Sequence, residues 1–223
     1  MSRFVLPGLI VLALATAGCQ KNSGNEQAFI ESSSEVRPVI AVVPVIDSTT
    51  HDYTWNLSDE LTSSLYTRLA QRETLYLAQL PKVRSVIKKL KETNNPFGTD
   101  FGWIKEAFQG EQFVAFFELI EHEEILKQDR KKDSDSAYCS ADLSMSMRVR
   151  VFDVRGEFPK IVLQELVHDT HYIPRQFTHA NFQQADWGDE SFSFSPLGLA
   201  HAEFTKQVAS RVEEYVLLAS QLQ

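Results

Sequence analysis

Residues 141–151 read Ala-Asp-Leu-Ser-Met-Ser-Met-Arg-Val-Arg-Val, apolar and polar side chains in strict alternation. Successive side chains of a strand point to opposite faces, so this period of two predicts a long strand with one face on a core and the other in water. A turn at Arg155-Gly156 returns the chain into a partner strand over residues 161–172. Upstream, residues 38–45 (PVIAVVPV) and 113–120 (FVAFFELI) are nearly continuous apolar runs, the pattern of strands covered on both faces. Glu118 interrupts the second run, and a carboxylate there calls for a partner, with Arg148 or Arg150 on the long strand the natural ones.

Between the strands the period changes. Leu57, Leu61, Leu65 and Leu69 recur every four residues, one face of a helix with Asn56 or Ser58 as its N-cap. Residues 75–77 form a short strand, and Pro81 opens a second helix with Val83, Val86, Ile87 and Leu90 as its buried stripe. Residues 94–98 (NNPFG) break it, and a short third helix over 101–108 is capped by Asp100. Leu197, Ala200, Phe204, Val208, Val212, Tyr215 and Ala219 mark one face of a long C-terminal helix. The expected fold is α/β (α+β): a mixed β-sheet with helices packed on it, in the order β-α-β-α-α-β-β-β-α, forming one domain over residues 36–223.

The amino terminus carries an address. Arg3 precedes an apolar run over residues 5–15, then Thr16-Ala17-Gly18 and Cys19. A basic start, a short apolar core and small residues describe a signal peptide over residues 1–18, too short for a stable transmembrane helix. A cysteine directly after the small residues resembles the lipobox of bacterial lipoproteins, with Thr16 where Leu is usual. The resemblance implies a diacylglycerol on the Cys19 thiol and cleavage before it, and Gln20 in place of Asp implies sorting to the outer membrane. An ordinary cleavage site or an uncleaved anchor are the alternatives. Residues 19–35 are polar and read as a lipidated flexible tether, whose sixteen residues after Cys19 reach at most roughly 55 Å and average about 22 Å.

Residues 19–223 lose only Arg3 from the 22 basic side chains and keep all 30 acidic ones, a formal charge near −9. That charge argues against nucleic acid and against electrostatic adhesion to an anionic membrane, leaving acyl chains as the membrane contact. Fifteen Phe, six Tyr and three Trp suit a packed aromatic core. With Cys19 acylated, Cys139 is the remaining thiol, either shielded or available for an intermolecular disulfide.

The segments VIAVVPVID, WIKEAFQGEQFVAFFELIE and the alternating strand ending in RVFDVRG together resemble a set of outer-membrane lipoproteins. The set includes the curli secretion factor, the lipoprotein activators of penicillin-binding proteins and the amino-terminal domain of the Tol translocation protein. As a whole the chain resembles a chlamydial lipoprotein family that supplies a location without an activity. The resemblance implies a domain facing the periplasm.

No motif supplies a mechanism. His168-Asp169-Thr170-His171 places its imidazoles on opposite faces of a strand, so a metal site would need a bend and a third ligand from Glu165, His179 or Asp186. Glu118 and residues 121–124 (EHEE) suit an ion pair better than a carboxylate dyad, and His51-Asp52 reads as solvated loop. Phosphate loop, nucleophile elbow and Cys–His pair are missing from the sequence, so neither catalytic residues, nor a metal, nor a cofactor other than the lipid on Cys19 is expected. Residues 175–195 hold Phe177, Phe182, Trp187, Phe192 and Phe194 at intervals fitting neither helix nor strand. Such aromatics either pack a long loop or contact a partner, and Trp187 is the expected anchor. The expectation is a non-enzymatic envelope lipoprotein that binds a protein; a secretion-type oligomer, an envelope hydrolase and a lipid or ligand carrier are the alternatives.

Overall fold

In the computed structural model the described residues are 37–91, 93–127, 140–174 and 185–222. The expected signal peptide, tether, Cys19, Cys139, Phe177, His179 and Phe182 lie outside them. The strands are β1 (Val39–Val42), β2 (Ile46–Asp47), β3 (Tyr76–Leu77), β4 (Phe113–Lys127), β5 (Ser140–Asp153) and β6 (Lys160–Ile173). The helices are α1 (Leu57–Ala70), α2 (Leu80–Ile87), α3 (Trp103–Ala107) and α4 (Pro196–Gln221), with a 3-10 turn at Phe192–Phe194. They build one mixed sheet in the order β3-β1-β4-β5-β6. β1 runs parallel to β3 and β4, whereas β4, β5 and β6 form an antiparallel meander. The expected fold class is what the structure shows.

Helices cover the sheet on both faces. Leu57, Leu61, Leu65 and Leu69 of α1 and Phe204, Val208, Val212 and Val216 of α4 bury against Phe117, Met145, Met147 and Val149. Fully burying one such side chain contributes about 1.5–3 kcal/mol. On the other face Val83 of α2 and Ile104 of α3 pack on Ala41, Val114, Phe116 and Phe152. The Asn56 side chain caps α1 by accepting from the Asp59 amide at 3.0 Å, while the Ser58 hydroxyl donates to the Val45 carbonyl instead. α3 is shorter than the expected 101–108, and Asp100 reaches only the Gly102 amide, at 3.4 Å.

Three departures from the sequence reading have physical causes. The run over 38–45 is not one strand: Pro44 has no amide to donate, so β1 stops at Val42 and pairing with β4 resumes as β2, beyond the expected strand. β4 continues past Ile120 to Lys127, with a bulge between Leu119 and Glu121 that turns the following side chains over. The polar face of β5 is not wet throughout. Ser144 and Ser146 are buried and donate to the two carboxylate oxygens of Glu121. Arg150, only 8% exposed, donates to the carbonyls of Pro96 and Gly98 at 3.0 and 2.8 Å, because the loop after α2 crosses that end of the sheet. Glu118 pairs with Arg148 and accepts from the Ser48 hydroxyl at 2.8 Å.

Candidate functional site

The bulge in β4 decides the site. Phe117 and Leu119 face α1 and α4, and after Ile120 the phase slips so that His122, opposite Met145, takes the same face. There it meets two polar side chains that interrupt apolar stripes. Glu60 precedes Leu61 on α1, and His201 lies between Ala200 and Phe204 on α4; both are buried, as is His122. His201 Nδ1 is 2.6 Å from Glu60 Oε1, and His201 Nε2 is 2.8 Å from His122 Nε2. The Trp55 indole donates to the other Glu60 oxygen at 2.8 Å.

Aromatic rings close the cluster. Tyr53 stacks between His51 and Trp55, with ring centres at 4.8 and 4.6 Å, and meets His122 edge-on at 5.5 Å. Burial, and next the His201 imidazole, push the His122 imidazole down to about 3, so this ring is neutral near pH 7. Burial pushes the Tyr53 phenol up, with the carboxylates of Glu60 and Glu124 adding to it. Burial also works to raise Asp47, but hydrogen bonds from Thr49 and His51 outweigh it and hold that carboxyl below its ordinary range. The His122–His201 bond needs one proton between its two Nε2 atoms, and His201 Nδ1–H donates to Glu60. The arrangement orients imidazoles, and among the described residues the group bonded to His201 Nε2 is the His122 imidazole rather than a hydroxyl or thiol.

A groove of about 520 Å³ opens beside this cluster. Its lining includes the buried Glu60 and His201, Ser63 and Thr67 of α1 with Gln71 at the helix C-cap, and Trp187 to Glu190 with Ser193. Ser195 caps α4 by accepting from the Gly198 amide at 3.0 Å. Gly198 is required by close approach: a Cβ there would lie 2.0 Å from the Phe192 carbonyl oxygen. Gly188 has φ +108, a left-handed turn that glycine adopts without strain.

The aromatics singled out in the sequence part company. Trp187 is 38% exposed and lines the groove, and Phe194 is 79% exposed. Phe192 is 7% exposed and meets Trp55 edge-on at 5.5 Å, so it is core rather than a surface for a partner. His168 and His171 fall on opposite faces of β6; the first bonds Ser146 Oγ at 2.9 Å. His51 is held by Asp47 at 2.9 Å rather than solvated. Glu60 and His201 escaped the sequence reading. Their signal was present: a carboxylate and an imidazole at positions where the 3.6-residue period demands apolar side chains.

Among solved structures, the hypothetical protein CT253 from Chlamydia trachomatis is similar over 81% of this chain and 98% of its own, at 23% identity and a TM-score of 0.63. Lipoprotein GNA1162 from Neisseria meningitidis matches over 78% and 99% of the two chains at 13% identity, with a TM-score of 0.44. Protein XCC0632 from Xanthomonas campestris matches over 82% and 88% at 8% identity, with a TM-score of 0.45. The chlamydial likeness speaks to the fold alone, and the other two are too weak to extend it. No curated protein is similar in sequence. A family model matches residues 26–220, and the chain belongs to that family, the family of unknown function DUF7499.

Proposed function

We propose that the protein is an outer-membrane lipoprotein, anchored through acyl chains on Cys19, whose domain binds another envelope protein from the periplasmic side and catalyses no reaction. Phe194 carries the binding half of this reading: a phenylalanine 79% exposed just before α4, with Trp187 of the preceding turn 38% exposed. Large apolar side chains held out to water on an ordered segment favour a partner that covers them. The buried cluster supports binding over turnover. Glu60–His201 has the carboxylate–imidazole form of an acid–base pair, but the group within reach of His201 Nε2 is a buried imidazole, where acyl-transfer chemistry needs a nucleophile. Two or three acyl chains, at about 0.8 kcal/mol per buried methylene, would make the attachment effectively permanent.

Photocrosslinking in intact envelopes tests the reading. A photoreactive residue at position 194 is expected to give a discrete protein adduct, and one at the exposed Lys160 is not. Phe194→Ser should abolish capture of the same partner while changing stability by no more than about 0.5 kcal/mol, as expected of a surface position. Identical adducts from both positions, or none from position 194, would sink the binding surface.

A further inference from the structure

We propose that the groove beside Trp187 is a binding site for a neutral saccharide. This goes beyond the protein-binding reading and does not rest on it. The groove's volume of about 520 Å³ lies within the roughly 300–1,000 Å³ typical of small-molecule sites. Its lining combines apolar groups with a set of uncharged polar ones. Trp187 gives one broad aromatic wall, and around it stand the hydroxyls of Ser63, Thr67 and Ser193 and the Gln71 amide. A pyranose ring has the complementary division: an apolar C–H face that lies flat on an indole, and a rim of hydroxyls that both donate and accept.

Two further lining residues, Ser64 and Arg68, are held in place before any ligand arrives. The buried Thr205 hydroxyl donates to the His201 carbonyl at 2.7 Å. Its oxygen is therefore the acceptor for the Ser64 hydroxyl at 2.7 Å and for Arg68 Nε at 3.1 Å. Side chains fixed in this way lose less entropy on binding than mobile ones. The buried Glu60 and His201 hydrogen-bond each other, Trp55 and His122, which leaves the other lining residues to set the specificity.

Charge and polarity narrow the ligand. Asp189 and Glu190 among the lining residues disfavour an anion. An acyl chain would strip water from Ser63, Thr67 and Gln71 without replacing their hydrogen bonds. An uncharged, hydroxyl-rich ligand satisfies all of these groups at once.

Calorimetric titration of the full chain in detergent with chitotriose, cellotriose and maltotriose tests the site. Saturable binding of at least one sugar is expected. Trp187→Ala should weaken it about tenfold or more, equivalent to about 1.4 kcal/mol, and Gln71→Ala replaces that variant if it melts early. Phe194→Ser should leave sugar binding unchanged, so a failed crosslinking result and a failed titration are separable. The proposal is overturned if none of the three sugars binds, or if binding is the same in the groove variants as in the wild type.

Discussion

Replacing His201 with leucine is expected to lower the stability of the domain by about 3–5 kcal/mol, the cost of breaking a buried hydrogen-bonded pair from one side. The substitution leaves Glu60 Oε1 and His122 Nε2 without the partners they have at 2.6 and 2.8 Å, at positions only 3% and 6% exposed. Denaturant melts of wild type and variant measure it. A loss below about 1 kcal/mol would mean that the cluster is hydrated or rearranges freely. Removing both partners, in Glu60→Leu with His201→Leu, should cost less than the two single changes added together, because no carboxylate is then left buried beside a leucine.

The same cluster sets a pH dependence. Unfolded, His122 takes up a proton near its ordinary 6.5; folded, it does so only near 3. Between those values the unfolded state binds more protons, so stability is complete above about 6.5 and falls as the pH drops. Over the window from 6.5 to 4.5 the expected loss from His122 is about 2–3 kcal/mol. The lowered carboxyls of Asp47, Glu121 and Asp153 add their own losses chiefly below that window. Urea midpoints collected across the window should fall toward acid in the wild type and far less in His122→Leu.

Gly198→Ala carries the second large effect. In an open helix the change would stabilise by up to about 1 kcal/mol. Here the added Cβ would sit 2.0 Å from the Phe192 carbonyl oxygen and 2.9 Å from its carbon, so backbone must move. Overpacking of this kind costs about 1–3 kcal/mol and sometimes more, which the helix propensity of alanine cannot offset. The turn at Phe192–Phe194 should shift away from α4, exposing Trp55 and shifting the tryptophan emission with the loss of stability. A more stable variant with unchanged fluorescence would contradict the close approach.

What was legible in the sequence was what periodicity alone determines. The alternation over 141–151 and the four leucines of α1 put the right side chains on the right faces, because each pattern has one way to bury its apolar set. The failures came where a distant segment decides burial. Arg150 is written like Arg148, yet the loop carrying Pro96 and Gly98 covers one and not the other. Residues 121–124 (EHEE) read as charges suited to an ion pair until the pairing with β5, and the bulge at Ile120, turn His122 inward. Pro44 could have divided the first apolar run on its missing amide alone. Of the candidate site only Trp187 was singled out, by aromatic spacing that fits neither helix nor strand; Glu60 and His201 were missed although they are polar residues within apolar stripes.

The central claim, a lipid-anchored binding protein, rests on the chemistry of one residue. Mass analysis of the N-terminal peptide of the protein extracted from its own membranes tests it most directly. The account predicts a chain that begins at Cys19 and carries a diacylglycerol thioether, with acyl label lost in Cys19→Ala. An amino terminus at any other residue, or an unmodified thiol at Cys19, would contradict it.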